Sequence, residues 1–305
     1  MNHIRHIAFG YSTQCNAKCD HCVAAGEKLP KAKMPLDTAA TIIEEMAASN
    51  VTGISFTAGE PLLFPEELDF LIRLCKKHDI YSRVVTNGYW AATRQRSDKM
   101  VSGLIQSGLS QLRISSSRWH QKNIDRQNIV NAVSSCKKYG LDYFISFVTD
   151  FSAQDDAFEQ FLRDHRVKYF PEPLIYSGRA KGFNRSRAST DLPPYQCAMN
   201  PYISPELDMF ACCDAGAHFN ETGFFYLGNR KNHSIDELFK KKENSILYNL
   251  VRTMGLTNMA SYIGLNASEI VKYRKCQLCE KLFNTAENLH ALEKGIKLGL
   301  LNWTR

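Results

Sequence analysis

The sequence predicts an α/β fold in which helices cover a parallel sheet. From residue 4 to about residue 180, short runs rich in β-branched and aromatic residues alternate with longer stretches that carry apolar residues at helical spacing. The connecting segments are short and often contain Gly or Asn, as at Asn50 and Gly88. Strands that alternate with helices pair in parallel, because each helix carries the chain back to the same end of the sheet.

The predicted elements of this region follow one another in regular order. Six strands are predicted, at residues 4–11, 53–57, 81–86, 111–115, 143–148 and 167–169. Five helices are predicted between them, at residues 36–49, 65–78, 98–107, 123–139 and 153–163. In the first helix, Ile42, Ile43 and Met46 recur on one face. Parallel α/β sheets bind ligands at the carboxyl ends of their strands, so the residues just after each strand are the expected site.

The last third of the chain has a different pattern. The alternation stops beyond Asn184, and Pro193 begins a Pro-Pro pair that marks a boundary. A hairpin is predicted at residues 202–211, a helix begins after the polar cap Ser234, and a final helix is predicted at residues 285–299. We therefore expect two domains, at residues 1–185 and 186–305. Because the first strand begins at about residue 4, no peptide-recognition domain is expected before it.

The composition is that of a soluble globular protein. Of 305 residues, 44% are hydrophobic and 23% are charged. No apolar run approaches the roughly 18 residues of a membrane helix, and residues 1–11 are too polar for a signal peptide. These features predict a cytoplasmic protein without a membrane partner. The net charge of +7 is spread along the chain, and its densest cluster, at residues 240–242, is not interleaved with aromatic residues, so no nucleic-acid partner is predicted.

Ten cysteines are many for a cytoplasmic chain, in which thiols act as metal ligands or redox groups rather than disulfides. Cys15, Cys19 and Cys22 form a Cys-x3-Cys-x2-Cys motif directly after the first predicted strand. Three thiolates can hold an iron–sulfur cluster and leave one iron open to another ligand. The spacing alone leaves two alternatives open: a zinc site completed by a histidine such as His21, and thiols that bind nothing.

The motif and its position resemble the signature of the radical S-adenosylmethionine (SAM) superfamily. Gly-Glu-Pro at residues 59–61 is similar to the family's GGEP segment, with Ala58 in place of its first glycine, and Ser-Gly-Arg-Ala at residues 177–180 is similar to its GRA segment. The resemblance covers residues 4 to about 180. It implies a partial (β/α)6 barrel of the TIM type, a [4Fe–4S] cluster held by the three cysteines, and SAM bound at the open iron.

The same resemblance implies a set of SAM contacts at strand ends. Gly59 and Glu60 are expected at the methionine amino group, with the Glu60 carboxylate as partner of the ammonium. The full expected set is Gly59, Glu60, Asn87, Ser115, Ser117 and Arg179. One position departs from the pattern, because many peptide-modifying relatives carry an Asp three residues before a His, whereas Ser117 precedes His120 here.

The cysteines of the last third resemble a twitch domain, the shorter relative of the SPASM domain, which holds an auxiliary [4Fe–4S] cluster. The expected ligands are Cys197, Cys212, Cys276 and Cys279, with structural zinc and unliganded thiols as alternatives. Cys213 is then spare and is predicted to donate a hydrogen atom to a substrate radical, or else to be a packed residue. Cys75 and Cys136 fall within helical patterns and are predicted to be packing residues.

These resemblances imply an enzyme that cleaves SAM reductively and removes a C–H hydrogen from a substrate. Epimerisation of a ribosomal peptide residue or a sugar is the favoured reaction, because peptide and aminoglycoside epimerases pair a twitch-type cluster with a donor cysteine. Dehydrogenation and carbon–carbon or thioether cross-linking are alternatives, and a zinc-binding adaptor without catalysis is a distant one. The expected partners are a peptide or small-molecule substrate and an electron-donor protein of the flavodoxin or ferredoxin type.

Overall fold

Nine strands form one continuous sheet in the computed structural model, which describes residues 4–24, 32–183, 193–218 and 222–301. The strands are β1 (Arg5–Gly10), β2 (Val51–Thr57), β3 (Tyr81–Thr86), β4 (Gln111–Ser116), β5 (Asp142–Thr149), β6 (Tyr169–Pro173), β7 (Tyr202–Ile203), β8 (Asp208–Phe210) and β9 (Tyr226–Asn229). Their order across the sheet is β6-β5-β4-β3-β2-β1-β7-β8-β9, and β1 to β6 pair in parallel. The predicted α/β fold with a partial barrel of six parallel strands is confirmed.

Helices connect the parallel strands and continue beyond them. The first five are α1 (Leu36–Ala48), α2 (Pro65–Lys77), α3 (Arg94–Ser107), α4 (Gln127–Tyr139) and α5 (Asp156–Asp164). The remaining six are α6 (Ile235–Glu243), α7 (Ile246–Thr253), α8 (Leu256–Tyr262), α9 (Ala267–Ile270), α10 (Lys275–Phe283) and α11 (Ala286–Lys297). None of the helices in the described ranges has both the length and the apolar character that crossing a bilayer requires.

The core of the parallel part lies between the sheet and its helices. Phe9, Phe56 and Phe147 are fully buried and belong to one hydrophobic cluster with buried residues of the helices. Cys75 in α2 and Cys136 in α4 are each 0% exposed and belong to this core. Their predicted packing role is confirmed.

Helix α3 begins four residues earlier than predicted, and α4 begins four residues later. Thr93 caps α3 by accepting a hydrogen bond from the backbone N–H of Arg96, which moves the start to Arg94. Asn123, predicted to open α4, instead ends a short 3₁₀ turn, and its side chain points back to the first cysteine motif. Both differences depend on polar side chains that periodicity of apolar residues does not report.

The sixth strand lies two residues later than predicted, at Tyr169–Pro173 instead of residues 167–169. The strand contains the sequence Pro-Glu-Pro, although proline cannot donate to a ladder. However, β6 is an edge strand, and Leu174 N–H donates to the Thr149 carbonyl of β5 at 2.7 Å. By alternation, the odd-numbered positions of β6 face away from β5. Pro171 and Pro173 therefore remove only donors that would point outward.

The predicted hairpin is confirmed as β7 and β8, and it extends the sheet of the barrel. β7 pairs in parallel with β1, through Ala8 with Tyr202 and Phe9 with Ile203, while β8 and β9 continue antiparallel. The four-residue strand β9 was not predicted. Because β8 runs antiparallel to β7, the chain that leaves it toward Cys212 heads back toward the amino ends of the parallel strands.

Arg5, at the start of β1, joins the barrel to α6. Its Nε and Nη2 donate to the two carboxylate oxygens of Glu243 at 2.7 and 2.8 Å, and Nη1 donates to Asp236 and to the Ser49 carbonyl, each at 2.7 Å. The guanidinium also lies 4.9 Å from the ring centre of Phe239. The Arg5 side chain is only 10% exposed, so this fork–fork pair is largely shielded from water.

Candidate functional site

The first cysteine motif lies in the loop after β1, at the carboxyl end of the parallel strands, where the sequence predicts it. Cys15 is exposed, Cys19 is buried and Cys22 is half-buried. The Cys22 N–H donates to the Cys19 carbonyl at 3.2 Å, which closes a turn between these two residues. The three cysteines therefore lie on one loop at this end of the sheet.

Two glycines pack closely against this loop, one just before Cys15 and the other beside Cys22. At Gly59 (φ +54°), a Cβ would lie 2.8 Å from the Ser12 carbonyl oxygen and closer still to that of Gln14. At Gly178 (φ +57°), a Cβ would lie 2.5 Å from the Val23 carbonyl oxygen and would also overlap the Cys22 carbonyl. No side chain fits at either place, and positive φ disfavours one as well. The two segments that resemble the family's motifs thus pack directly on the cysteine loop.

Backbone hydrogen bonds strengthen both contacts. The Glu60 N–H donates to the Gln14 carbonyl at 2.7 Å, just before Cys15. The Arg179 N–H donates to the Cys22 carbonyl at 3.1 Å, at the other end of the motif. The cysteine loop is therefore positioned by the segments that follow β2 and β6, and not only by its own sequence.

Amide side chains point at two of the sulfurs. Asn87 Nδ2 lies 3.9 Å from Cys15 Sγ, and Asn123 Nδ2 lies 3.7 Å from Cys19 Sγ. Burial and the neighbouring thiols raise the pKa of Cys19 to about 12. Such crowded thiols ionise readily only beside a cation, and N–H donors aimed at sulfur suit metal-bound thiolates. The donor chemistry of the loop therefore fits an iron–sulfur cluster. Asn123 was missed because its sequence position lies far from the motif.

The predicted SAM contact Glu60 is turned inward. It is 1% exposed, and its carboxylate accepts hydrogen bonds from the Leu62 N–H (3.0 Å), the Thr86 hydroxyl (2.8 Å) and the Asn87 N–H (2.7 Å). Burial raises the pKa of Glu60 to about 7, and these donors oppose the rise. Glu60 thus ties the end of β3 to the segment after β2. A direct contact with the SAM ammonium stays a prediction.

Two predicted contacts lie at the end of β4. Ser115 is half-buried on the same face of the strand as Arg113. Ser117 is fully buried, and its hydroxyl is hydrogen-bonded to His120 Nδ1 at 2.8 Å. His120 in turn packs edge-on against His21 with 4.4 Å between ring centres. Ser117, where the sequence departs from the family pattern, therefore forms a buried hydrogen bond within the protein. Its contact with ribose stays a prediction.

His21 belongs to this packed group. It stacks on Trp119 with ring centres 5.2 Å apart, and burial together with the Arg179 charge lowers its pKa to about 4. In the part of the chain that the structure describes, no three histidine, cysteine or acidic side chains converge to hold a single metal ion. His21 is packed in an aromatic group with Trp119 and His120.

The five cysteines of the last third line one cavity of about 700 Å³, although they come from three distant segments: Cys197, Cys212, Cys213, Cys276 and Cys279. The barrel contributes Arg113 of β4 and Glu172 of β6 to the same cavity. Arg113 donates to Glu172 and, at 3.0 Å, to Ser146 of β5, so a polar row crosses three strands.

The surroundings of these thiols resemble those of the first set. The Asp214 N–H donates to Cys212 Sγ at 3.4 Å. Burial, followed by nearby Asp214, raises the pKa of Cys212 to about 12, and burial likewise raises the pKa of Cys276 and Cys279. Lys275, which lines the cavity, is a cation beside this set. The donor set therefore fits a bound cationic cluster.

Cys213 lines the same cavity as Arg113 of β4. Burial raises the pKa of Cys213, and the Arg113 charge opposes the rise. This thiol therefore shares a cavity with polar residues of the barrel interior. The polar residues of this interior were not predicted as site residues, although the alternation of Gln111, Arg113 and Ser115 along β4 is a signal for them.

A family model described as the radical SAM superfamily matches residues 11–165, about half of the chain. The match includes the first cysteine motif, the Gly59 segment and the strand ends that carry Asn87 and Ser115.

The chain is also similar to individual proteins. It is 20% identical over 302 residues to YydG of Bacillus subtilis (strain 168), a protein assigned provisionally to peptide biosynthesis, and the match covers 93% of each chain. Among solved structures, anSMEcpe with bound AdoMet has a TM-score of 0.62 at 16% identity, covering 95% of this chain and 99% of that one. BtrN in complex with AdoMet and 2-DOIA has a TM-score of 0.56 at 15% identity, covering 84% and 89%. These structures share the fold.

Proposed function

The chain belongs to the radical SAM superfamily, and from this premise we propose that it inverts a stereocentre in a residue of a peptide substrate. Members of this superfamily use SAM and a [4Fe–4S] cluster, which together supply a 5′-deoxyadenosyl radical able to remove a hydrogen atom from carbon. Cys15, Cys19 and Cys22 are the proposed ligands of the cluster. The similarity to YydG along nearly the whole chain supports a peptide substrate.

The position of Cys213 on a cavity that the barrel residues Arg113 and Glu172 also line is the observation that carries the proposal. The first cysteine motif follows β1 at the carboxyl end of the strands, whereas Cys213 follows β8 on its way back toward the amino ends. A substrate held between these two groups would lose its hydrogen on the side of the first motif and receive one from Cys213 on the other side. Removal on one face and return on the opposite face invert the carbon.

Each turnover requires two electrons and one proton: one electron for the reductive cleavage of SAM, and one electron with the proton for the recovery of Cys213. Removal of the substrate hydrogen leaves a carbon radical and 5′-deoxyadenosine. Cys213 then donates the hydrogen atom of its S–H bond and becomes a thiyl radical. The second electron and the proton restore the thiol, and a flavodoxin- or ferredoxin-type donor protein would deliver both electrons. In this scheme Cys197, Cys212, Cys276 and Cys279 would hold a second [4Fe–4S] cluster, which would supply an electron relay.

The first experiment measures iron after anaerobic reconstitution. We expect about 8 irons per wild-type chain and about 4 in the Cys15/Cys19/Cys22→Ala triple variant, because each cluster contains four irons. The Cys75→Ala variant, which changes a buried thiol remote from both sets, should keep about 8 irons. About 4 irons in wild type falling to none in the triple variant would rule out the second cluster and the electron relay.

The Cys213→Ala variant should uncouple SAM cleavage from inversion. Wild type and variant are incubated in D2O with a library of synthetic peptides, because a deuterium returned from an exchanged thiol adds one mass unit to an inverted residue. The variant should still form 5′-deoxyadenosine, but inversion should fall by at least about 100-fold, since no hydrogen donor remains. Cys136→Ala, a buried cysteine in α4, serves as the matched control.

Other outcomes identify the rival reactions. A loss of two mass units from the peptide in wild type would indicate dehydrogenation or cross-linking and would overturn the proposal. Unchanged inversion in Cys213→Ala would remove Cys213 from the mechanism.

A further inference from the structure

Backbone strain is concentrated around the cavity that contains Cys213. Eight non-glycine residues of the described ranges have positive φ, and three of them line this cavity: Phe151 (φ +61°), Tyr195 (φ +50°) and Met199 (φ +50°). Bulky residues rarely adopt this conformation, and such strain persists where the surrounding structure enforces it, often at ligand sites. Glycine would remove the strain at each position, so these three side chains are placed on the cavity at a cost in backbone strain.

Phe151 is held rigidly in its strained conformation. Its N–H donates to the Thr149 hydroxyl at 2.8 Å, and the next residue, Ser152, donates its N–H to the Asp150 carboxylate at 3.0 Å. Arg118 pairs with Asp150 at 2.7 Å and so fixes the same turn to the end of β4. The loop after β5 is therefore preorganised, and the direction of the Phe151 side chain does not depend on burial.

The ring itself is largely open to solvent. Phe151 is 58% exposed, so its ring is accessible to a ligand. The guanidinium of Arg274 lies 4.7 Å from the ring centre, and its Nη2 donates to the Asp150 carbonyl at 2.9 Å. Arg274 directly precedes α10, the helix that carries Cys276 and Cys279. The pair thus connects the loop after β5 to the last-third cysteines at the cavity wall.

The cavity beside this pair is mixed in character. Leu174, Ile175 and Leu256 give it an apolar wall, whereas Arg113 and Lys275 place cationic groups in it. Apolar side chains of a ligand can pack against the apolar wall, and carbonyl oxygens of a ligand can accept hydrogen bonds from Arg113 and Lys275. A peptide segment with an apolar side chain offers both kinds of partner at once.

We infer that Phe151, supported by Arg274, is a specificity-determining clamp that packs against an apolar side chain of the peptide next to the reacting residue. This inference rests on the proposed function and deepens it by naming how the substrate is held. The contact fixes the register of the peptide, so that one C–H bond lies between the first cysteine motif and Cys213. Without the clamp the peptide binds more weakly and in several registers.

The test uses the library peptide that wild type inverts fastest, assayed in D2O with the reconstituted protein. Phe151→Gly should raise KM about tenfold, the effect of losing one aromatic contact. It should also increase the 5′-deoxyadenosine formed per inverted residue, because misplaced peptides are not inverted. Phe151→Tyr keeps the ring and should restore KM to within about twofold of wild type.

Arg166→Gly is the matched control. Arg166 has the same strained backbone (φ +50°) but lies at the exposed end of α5, away from the cavity. Both glycine variants should keep the melting temperature within about 4 °C of wild type, and only Phe151→Gly should change KM. Unchanged KM and coupling in Phe151→Gly would overturn the clamp while leaving the inversion reaction intact. Failure of wild type to invert any peptide would instead overturn the proposed function, and the clamp with it.

Discussion

Gly59→Ala is expected to empty the first cysteine site. The added Cβ would meet the Ser12 carbonyl at 2.8 Å and overlap that of Gln14, and the residue would keep a positive φ of 54°. The loop that carries Cys15 must then move away from the segment after β2. Steric overlap and strain together should lower the free energy of unfolding by about 3–5 kcal/mol. Iron after reconstitution should fall from about 8 to about 4 per chain, and 5′-deoxyadenosine formation should be lost.

Ala58→Gly is the control for this prediction, because it exchanges the same two residue types one position earlier. Ala58 has a φ of +63°, so glycine relieves strain there, while the unfolded chain gains entropy. The two effects oppose each other, and we expect stability within about 1 kcal/mol of wild type with full iron content. Iron content of wild-type level in Gly59→Ala would contradict the close packing between the segment after β2 and the cysteine loop.

Arg5→Met is expected to lower the free energy of unfolding by about 3 kcal/mol. Methionine keeps the apolar stem beside Phe239 but leaves the largely buried Glu243 carboxylate without the cation that binds it in a fork. An unpaired carboxylate in this position costs more than the pair contributes. The measurement is the urea unfolding curve of the full chain, compared at the transition midpoint.

Lys240→Met provides the comparison for Arg5→Met. Lys240 pairs at 2.6 Å with Asp236, which Arg5 also binds, but the Lys240 side chain is 62% exposed. Such surface pairs contribute less than about 0.5 kcal/mol. Equal destabilisation by the two variants would mean that Arg5 acts as a surface charge and does not join α6 to the barrel.

The parallel sheet could be predicted because its signals are local. The strands that become β1 to β5 carry apolar residues in short runs, and Asn50 and Gly88 mark turns at their ends. The predicted position of β6 is two residues too early in the chain. Pro171 and Pro173 are disfavoured in a central strand but allowed in an edge strand, and sequence alone does not reveal which strand lies at the edge.

The candidate site was predictable in part, for the same kind of reason. Cys15, Cys19 and Cys22 lie within eight residues, so their association follows from local sequence. The inward direction of the Glu60 side chain depends on hydrogen-bond donors at the end of β3. Ser117 stands where the family pattern has an acidic residue, and its hydroxyl is hydrogen-bonded to His120. These contacts depend on tertiary packing, which motif spacing does not specify.

The grouping of the last-third cysteines also depends on tertiary packing, here between residues far apart in the sequence. Cys197 and Cys279 are 82 positions apart, and both reach one cavity because the hairpin extends the barrel sheet and α10 packs beside it. The resemblance to a twitch domain indicated their grouping. The placement of Cys213 and Arg113 on one cavity depends on the folded chain.

The outer edge of β6 has a consequence for how a peptide can be selected. Proteins that capture peptides by adding them to a sheet edge read mainly the backbone, and they accept many sequences. At β6 the prolines at positions 171 and 173 leave an added strand without two of the donors it would need. A peptide substrate of the proposed reaction would therefore gain little backbone pairing at this edge, and its recognition would depend on contacts inside the cavity, such as the one inferred for Phe151.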